Sequence, residues 1–177
     1  FWEDYMQLPK NLKTVQIGNP FLEVMKKKYK HTILNEKAIV FYSGNFSYDG
    51  EVLERLAVDF CKKYSDKGYE VYFKFHPGEM TIWKELYQLL CNCKEIQIIA
   101  PSMNIYEIFT FAKHHVFVAS TVMYEAMNYD VCRYVYTFES DLKDSMLERQ
   151  MPLMEKGGGV EFHNEEELED LINKGVK

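Results

Sequence analysis

The chain has 177 residues, 47% hydrophobic and 15% aromatic, with a net charge of −6 and a pI near 5.4. That supplies the apolar side chains of one packed domain, and its mixed, net-acidic charge argues against broad nucleic-acid or anionic-membrane binding while allowing a local positive pocket. Cys61, Cys91, Cys93 and Cys132 form no CxxC pair and no His stands at zinc-finger spacing, so they read as reduced thiols of a cytosolic protein, and no apolar run approaches the ~20 residues of a membrane span.

Residues 1–20 lack clear periodicity: 8–11 read as a turn, 14–17 as a short strand, and Gly18-Asn19-Pro20 breaks the chain. This segment resembles a connector entering a domain, which then occupies 21–177. The start at Phe1 rather than Met suggests a piece of a longer protein. A short helix over 21–29 ends in Lys26-Lys27-Lys28, cations suited to the negative end of a helix dipole. Residues 38–42 form a strand leading into the loop Ser43-Gly44-Asn45. The next helix, with Asp49 as N-cap, carries a 3.6-residue stripe of Val52, Leu53, Leu56, Ala57, Phe60, Cys61 and Tyr64.

Gly68 ends that helical region, and a β-rich run over 71–75 meets His76-Pro77-Gly78-Glu79. Pro77 pushes His76 toward an extended conformation, so His76 projects from the strand end, while Glu79 suits the first turn of a helix. That helix, 81–90, turns Ile82, Trp83, Leu86, Leu89 and Leu90 inward. After a strand at 96–99, Asn104 and Glu107 make an approximate capping box for a helix carrying Ile105, Ile108, Phe109 and Ala112. His114-His115 reads as a surface turn ahead of a strand at 116–119. That strand stops at Ser120-Thr121, hydroxyls able to cap a helix over 121–129 whose unpaired amides and positive dipole end suit a phosphate. Glu125 lies one turn on, ~6 Å along the axis, within reach of a ribose attached to that phosphate. A strand at 133–137, a chain reversal at Gly157-Gly158-Gly159, a strand at 160–162 and a charged helix over 165–172 complete the pattern.

Strand and helix alternate at roughly 25–35 residues per unit, the length of right-handed βαβ repeats. The expected fold is a three-layer α/β/α Rossmann-like domain with a mainly parallel sheet of about six strands. In the order 3-2-1-4-5-6 the reversal falls between strands one and four, and the loops after strands one, two and four converge on one crevice. Its backbone N–H groups, hydroxyls, imidazole and carboxylate suit a phosphate and a sugar. No Gly-x-Gly-x-x-Gly follows the first strand, and no Walker loop or Gly-x-Ser-x-Gly elbow exists. Ser43-Gly44-Asn45 lacks the carboxylates of a receiver domain.

Ile17-Gly18-Asn19-Pro20, Phe73-Lys74-Phe75-His76-Pro77-Gly78-Glu79 and Ala119-Ser120-Thr121-Val122-Met123-Tyr124-Glu125-Ala126 resemble the C-terminal, donor-binding half of GT-B glycosyltransferases. They are similar in particular to bacterial capsule and lipooligosaccharide sialyltransferase and polysialyltransferase-like proteins; teichoic-acid polymerases share the His-Pro and Ser-Ser features. The resemblance implies a nucleotide-sugar donor, with CMP-sialic acid the foremost candidate, and no metal. It implies that His76 contacts the donor phosphate and assists departure of the nucleotide, as general acid if it titrates near neutrality. Ser120 and Thr121 would bind that phosphate and Glu125 the ribose, with Ser43, Gly44, Asn45, Pro77 and Gly78 completing the donor site.

The acceptor glycan and the general base would belong to a separate N-terminal domain, so this chain alone would bind nucleotide weakly and transfer nothing. The resemblance further implies a cytoplasmic location, with peripheral association of the whole protein at the inner face of the bacterial membrane. Three alternatives stand beside this: a CDP-glycerol or ribitol phosphotransferase-like domain, a UDP-sugar transferase or epimerase domain, and a non-catalytic nucleotide-binding or scaffolding module.

Overall fold

The computed structural model describes residues 13, 19–30, 33–44, 47–79, 82–118, 120–137 and 157–175. The expected strand at 14–17 and most of the connector lie outside them. The described elements are α1 (Pro20–Lys28), β1 (Asn35–Tyr42), α2 (Ser47–Tyr64), β2 (Glu70–Lys74), α3 (Trp83–Leu86), α4 (Gln88–Asn92) and β3 (Gln97–Ile99). They continue with α5 (Ile105–Ile108), β4 (Ala112–Phe117), α6 (Val122–Ala126), β5 (Cys132–Tyr136), β6 (Val160–Phe162) and α7 (Glu165–Lys174).

The six strands form one sheet in the order β3-β2-β1-β4-β5-β6, every pair parallel. This is the expected α/β class and the expected order. Parallel strands covered on both faces must be apolar on both, and β1 obeys: Ile39 and Phe41 face one core, Ala38, Val40 and Tyr42 the other. Residues of α2, α4 and α7 pack in the first core; α5 and α6 pack in the second, with α1 laid against it. Among the described residues no helix is long and apolar enough to cross a membrane. All four cysteines are free, and only Cys91 is exposed.

Several local expectations change. α2 begins at Ser47, so Asp49 stands in its first turn rather than at its N-cap. The helix expected at 81–90 is two short pieces that break at Tyr87, whose backbone (φ −111°, ψ 56°) leaves the helical region. The break turns the Tyr87 ring inward against Phe73 and Phe75, at centroid distances of 5.7 and 4.8 Å, and leaves Ile82 and Leu89 exposed. α5 is a single turn, and Ala112 opens β4 instead of closing that helix.

His114 and His115 are not a surface turn: both lie in β4 and are buried. Buried imidazoles need partners at both nitrogens. His114 pairs through Nδ1 with the Tyr134 hydroxyl (3.0 Å) and through Nε2 with the Glu36 carbonyl (3.1 Å). His115 pairs through Nδ1 with the Tyr42 hydroxyl (2.8 Å) and through Nε2 with the Ala112 carbonyl (3.0 Å). In each case the carbonyl requires the proton on Nε2, so the tyrosine donates to Nδ1.

The glycine run at 157–159 has a specific partner. Arg133 on β5 donates to the carbonyls of Gly158 (3.0 Å), Gly157 (3.2 Å) and Val131 (2.9 Å), stapling the loop beside the sheet. A Cβ on Gly159 would stand 2.9 Å from Val135 Cγ2 and 3.3 Å from Met123 Sδ. Gly159→Ala is therefore expected to destabilise the fold by about 1–3 kcal/mol through overpacking, read as a lower urea midpoint at unchanged slope.

Candidate functional site

β1 delivers Tyr42 and Ser43, the end of β2 delivers Lys74 to Pro77, and the turn after β4 delivers Ser120 and Thr121. With Pro101, Met103 and Ile105 from the chain after β3, they enclose a cavity of about 270 Å³. It lies at the carboxyl ends of the strands, where β1 and β4 are neighbours and the sheet order reverses, the usual ligand position in a doubly wound sheet. Its lining divides chemically: Lys74, His76, Ser120 and Thr121 are polar, whereas Pro101, Met103, Ile105 and Val122 are apolar.

Lys74 is the residue that sequence reasoning passed over. It ends β2, with Phe73 before it and Phe75 after it in the chain, and is itself only 8% exposed. A lysine inside an aromatic run was the available signal. Its ammonium donates to the carbonyls of Pro101 (3.0 Å) and, more weakly, Ala100 (3.4 Å). It joins none of the ion pairs among the described residues. Burial pushes its pKa down. An ammonium carries three donors, so one remains for a ligand, and the charge lacks a carboxylate.

His76 is half-buried on the same lining. Its Nδ1 accepts the Gly78 N–H at 3.1 Å. That bond requires a bare Nδ1, so the ring proton is assigned to Nε2. With that tautomer the ring presents its Nε2–H as a hydrogen-bond donor.

Ser43 is also committed. Its hydroxyl donates to the buried Glu79 carboxylate while its oxygen accepts the His76 N–H at 2.8 Å. It acts as a clamp between the ends of β1 and β2, and its proton is not free for a ligand. Glu79 is no exposed helix start: it accepts from Ser43, from the Tyr87 hydroxyl (2.5 Å) and from the His76 N–H (3.1 Å). Gly44 is buried beside Ser43, Pro77 lines the cavity, Gly78 is exposed on the turn, and Asn45 lies outside the described residues.

Ser120 caps α6 by accepting the Val122 N–H at 3.3 Å, but Thr121 has helical backbone angles and makes no side-chain cap bond. The Thr121 side chain is exposed on the cavity lining. The expected open helix end is largely closed: Met123 N–H bonds Ser120 O (3.3 Å) and Tyr124 N–H bonds Thr121 O (3.1 Å). α6 has five residues, too few for a large dipole. What this turn offers the cavity is therefore side chains rather than open amides. Glu125 is not on the lining; it bonds the Tyr106 hydroxyl, whose pKa burial and this carboxylate both raise.

Two larger cavities, of about 320 and 350 Å³, lie along α2 and α4, away from the strand ends. The first holds Cys61 and Cys93, but burial pushes the Cys61 thiol up to about 12, away from the reactive thiolate. The second contains Glu54, already bonded to the Leu90 N–H at 2.9 Å.

The chain is similar to the GT-B domain of a sialyltransferase. That domain, residues 113–497 of a protein from Photobacterium damselae, aligns at 15% identity and a TM-score of 0.43, over 80% of this chain and 41% of its own. This chain thus spans about two fifths of that structure's length. No family model and no curated protein matches the sequence. A likeness so loose carries no argument about chemistry, which is taken instead from the cavity.

Proposed function

We propose that the chain is the donor-binding domain of a glycosyltransferase, and that its cavity holds the nucleotide of a CMP-activated sugar, of the sialic-acid type. The observation that carries the reading is Lys74: a buried ammonium without a carboxylate partner among the described residues, in the same cavity as His76 and Thr121. Three donors of that kind suit a phosphate. One buried cation suits the single negative charge of a sugar phosphodiester better than a diphosphate. Pro101, Met103, Ile105 and Val122 suit the flat, apolar part of a nucleoside.

In the transfer, the bond between the sugar and the phosphate oxygen breaks, and that oxygen gains charge as CMP departs. Lys74, His76 and Thr121 stabilise that charge, and being held in place beforehand they need little reorganisation. An acceptor hydroxyl forms the new bond and loses its proton to a base. Both acceptor and base come from a separate N-terminal domain preceding residues 21–177, so this chain alone transfers nothing. No metal takes part, and the parent protein works on the cytoplasmic side of a bacterial membrane in surface-polysaccharide synthesis.

Calorimetric titration with CMP, CDP and UDP tests the reading. CMP is expected to bind tightest, and His76→Ala and Thr121→Val each to weaken it about tenfold, the loss of one hydrogen bond to a charged group. CDP preference would point to glycerol-phosphate or ribitol-phosphate transfer, and UDP preference to a hexose transferase or epimerase. Binding of none of the three overturns the reading in favour of a non-catalytic scaffolding module.

A further inference from the structure

Glu79 presents a problem that the cavity does not explain. It is 3% exposed and belongs to no ion pair among the described residues. A buried carboxylate without a cation is costly unless hydrogen bonds replace its water. Here three neutral donors do so, each from a different part of the chain: the Ser43 hydroxyl after β1, the His76 N–H after β2, and the Tyr87 hydroxyl at the break between α3 and α4. A carboxylate has four lone-pair sites, enough to accept all three.

The three bonds meet at the turn carrying His76. The His76 N–H is shared between Ser43 Oγ (2.8 Å) and Glu79 Oε2 (3.1 Å), and the Glu79 N–H returns to the His76 carbonyl (2.9 Å). That closed turn brings the Gly78 N–H onto His76 Nδ1 at 3.1 Å. The chain of cause runs from carboxylate to turn, from turn to Gly78, and from Gly78 to the position of the ring proton.

We infer that Glu79 is a positioning residue that, through Ser43 and Tyr87, fixes the His76 turn so that the imidazole keeps its proton on Nε2 for an anion in the cavity. Glu79 touches no ligand itself. Freed of Glu79, the turn relaxes, Gly78 leaves Nδ1, and the ring divides between its two tautomers. The inference deepens the donor-binding reading and rests on it for its affinity arm alone.

The test uses this chain with ¹⁵N-labelled histidine, long-range ¹H–¹⁵N NMR of the His76 ring, and CMP titration. In the unaltered protein the His76 pattern is expected to be that of a single Nε2–H tautomer. Glu79→Gln should give averaged ring shifts and weaken CMP about five- to tenfold. In a His76→Ala background the same change should cost less than about twofold, because the group it positions is gone. An equal loss in both backgrounds, or a His76 tautomer unmoved by Glu79→Gln, overturns the inference. If Glu79→Gln does not fold, Ser43→Ala and Tyr87→Phe each remove one of the three donors and are read in the same way. If the unaltered protein fails to bind CMP, the functional reading falls, and the tautomer measurement still decides the role of Glu79.

Discussion

Lys74→Met is expected to weaken nucleotide binding by about 10- to 100-fold while leaving the empty protein as stable as before, or more so. The two halves of this result come from different physics. A charged hydrogen bond to a phosphate is worth about 1.5–3 kcal/mol. In the empty domain, however, the same ammonium is buried against the Pro101 and Ala100 carbonyls, with no opposite charge among the described residues to offset that cost. Methionine fills similar space without the charge. A lysine kept only to tie down the segment at 100–101 would behave differently, since its removal would lower the unfolding midpoint and leave affinity alone. Calorimetry and urea denaturation on one pair of proteins separate the outcomes. Unchanged affinity would remove Lys74 from the site.

The second large effect concerns acid. His115 is wholly buried in β4, and that burial pushes its pKa down to about 3; burial lowers His114 as well. The unfolded chain takes up a proton on each near pH 6.5. A folded value below the unfolded one means the unfolded state binds more protons, so the stability present above pH 6.5 is lost as pH falls toward 3. For His115 the loss between pH 7 and 5 is about 2 kcal/mol, from 1.36 kcal/mol per pH unit. Glu54 acts in the opposite sense, because burial raises its pKa, so the comparison is made against a variant. His115→Gln is expected to lower stability at pH 7 and to flatten the decline from pH 7 to 5 by about that amount. Parallel declines in the two proteins would contradict the assignment.

The strand order was legible because short β-rich runs alternated with helical stripes at a βαβ spacing, and that topology alone brought the ends of β1, β2 and β4 together. What the sequence hid were polar residues with partners far along the chain. His114-His115 looked like a turn because nothing local announces a hydroxyl for each ring, yet Tyr134 and Tyr42 supply one apiece from the flanking strands. Glu79 looked like an ordinary helix start because its partner Ser43 lies 36 residues away. The break at Tyr87 was hidden by helical periodicity running through it, while the pull came from aromatic packing on Phe73 and Phe75. Ser120 and Thr121 were found as cavity residues for a partly mistaken reason. Their helix is a single short stretch with its first amides largely satisfied, and what they offer is side chains.

The pairing of β1 with β4 has a kinetic consequence. Ile39 lies opposite His114, residues that stand 75 apart in the chain (114 minus 39). Closing so long a loop is entropically expensive relative to local contacts, and sheets made only of such pairings mature slowly. Ser43 and His76 can assemble once β1 meets β2, whereas Thr121 joins them only when β4 docks. During refolding, nucleotide uptake should therefore lag behind the recovery of helical signal, and a fluorescent CMP analogue would serve as a clock for the final closure of the sheet.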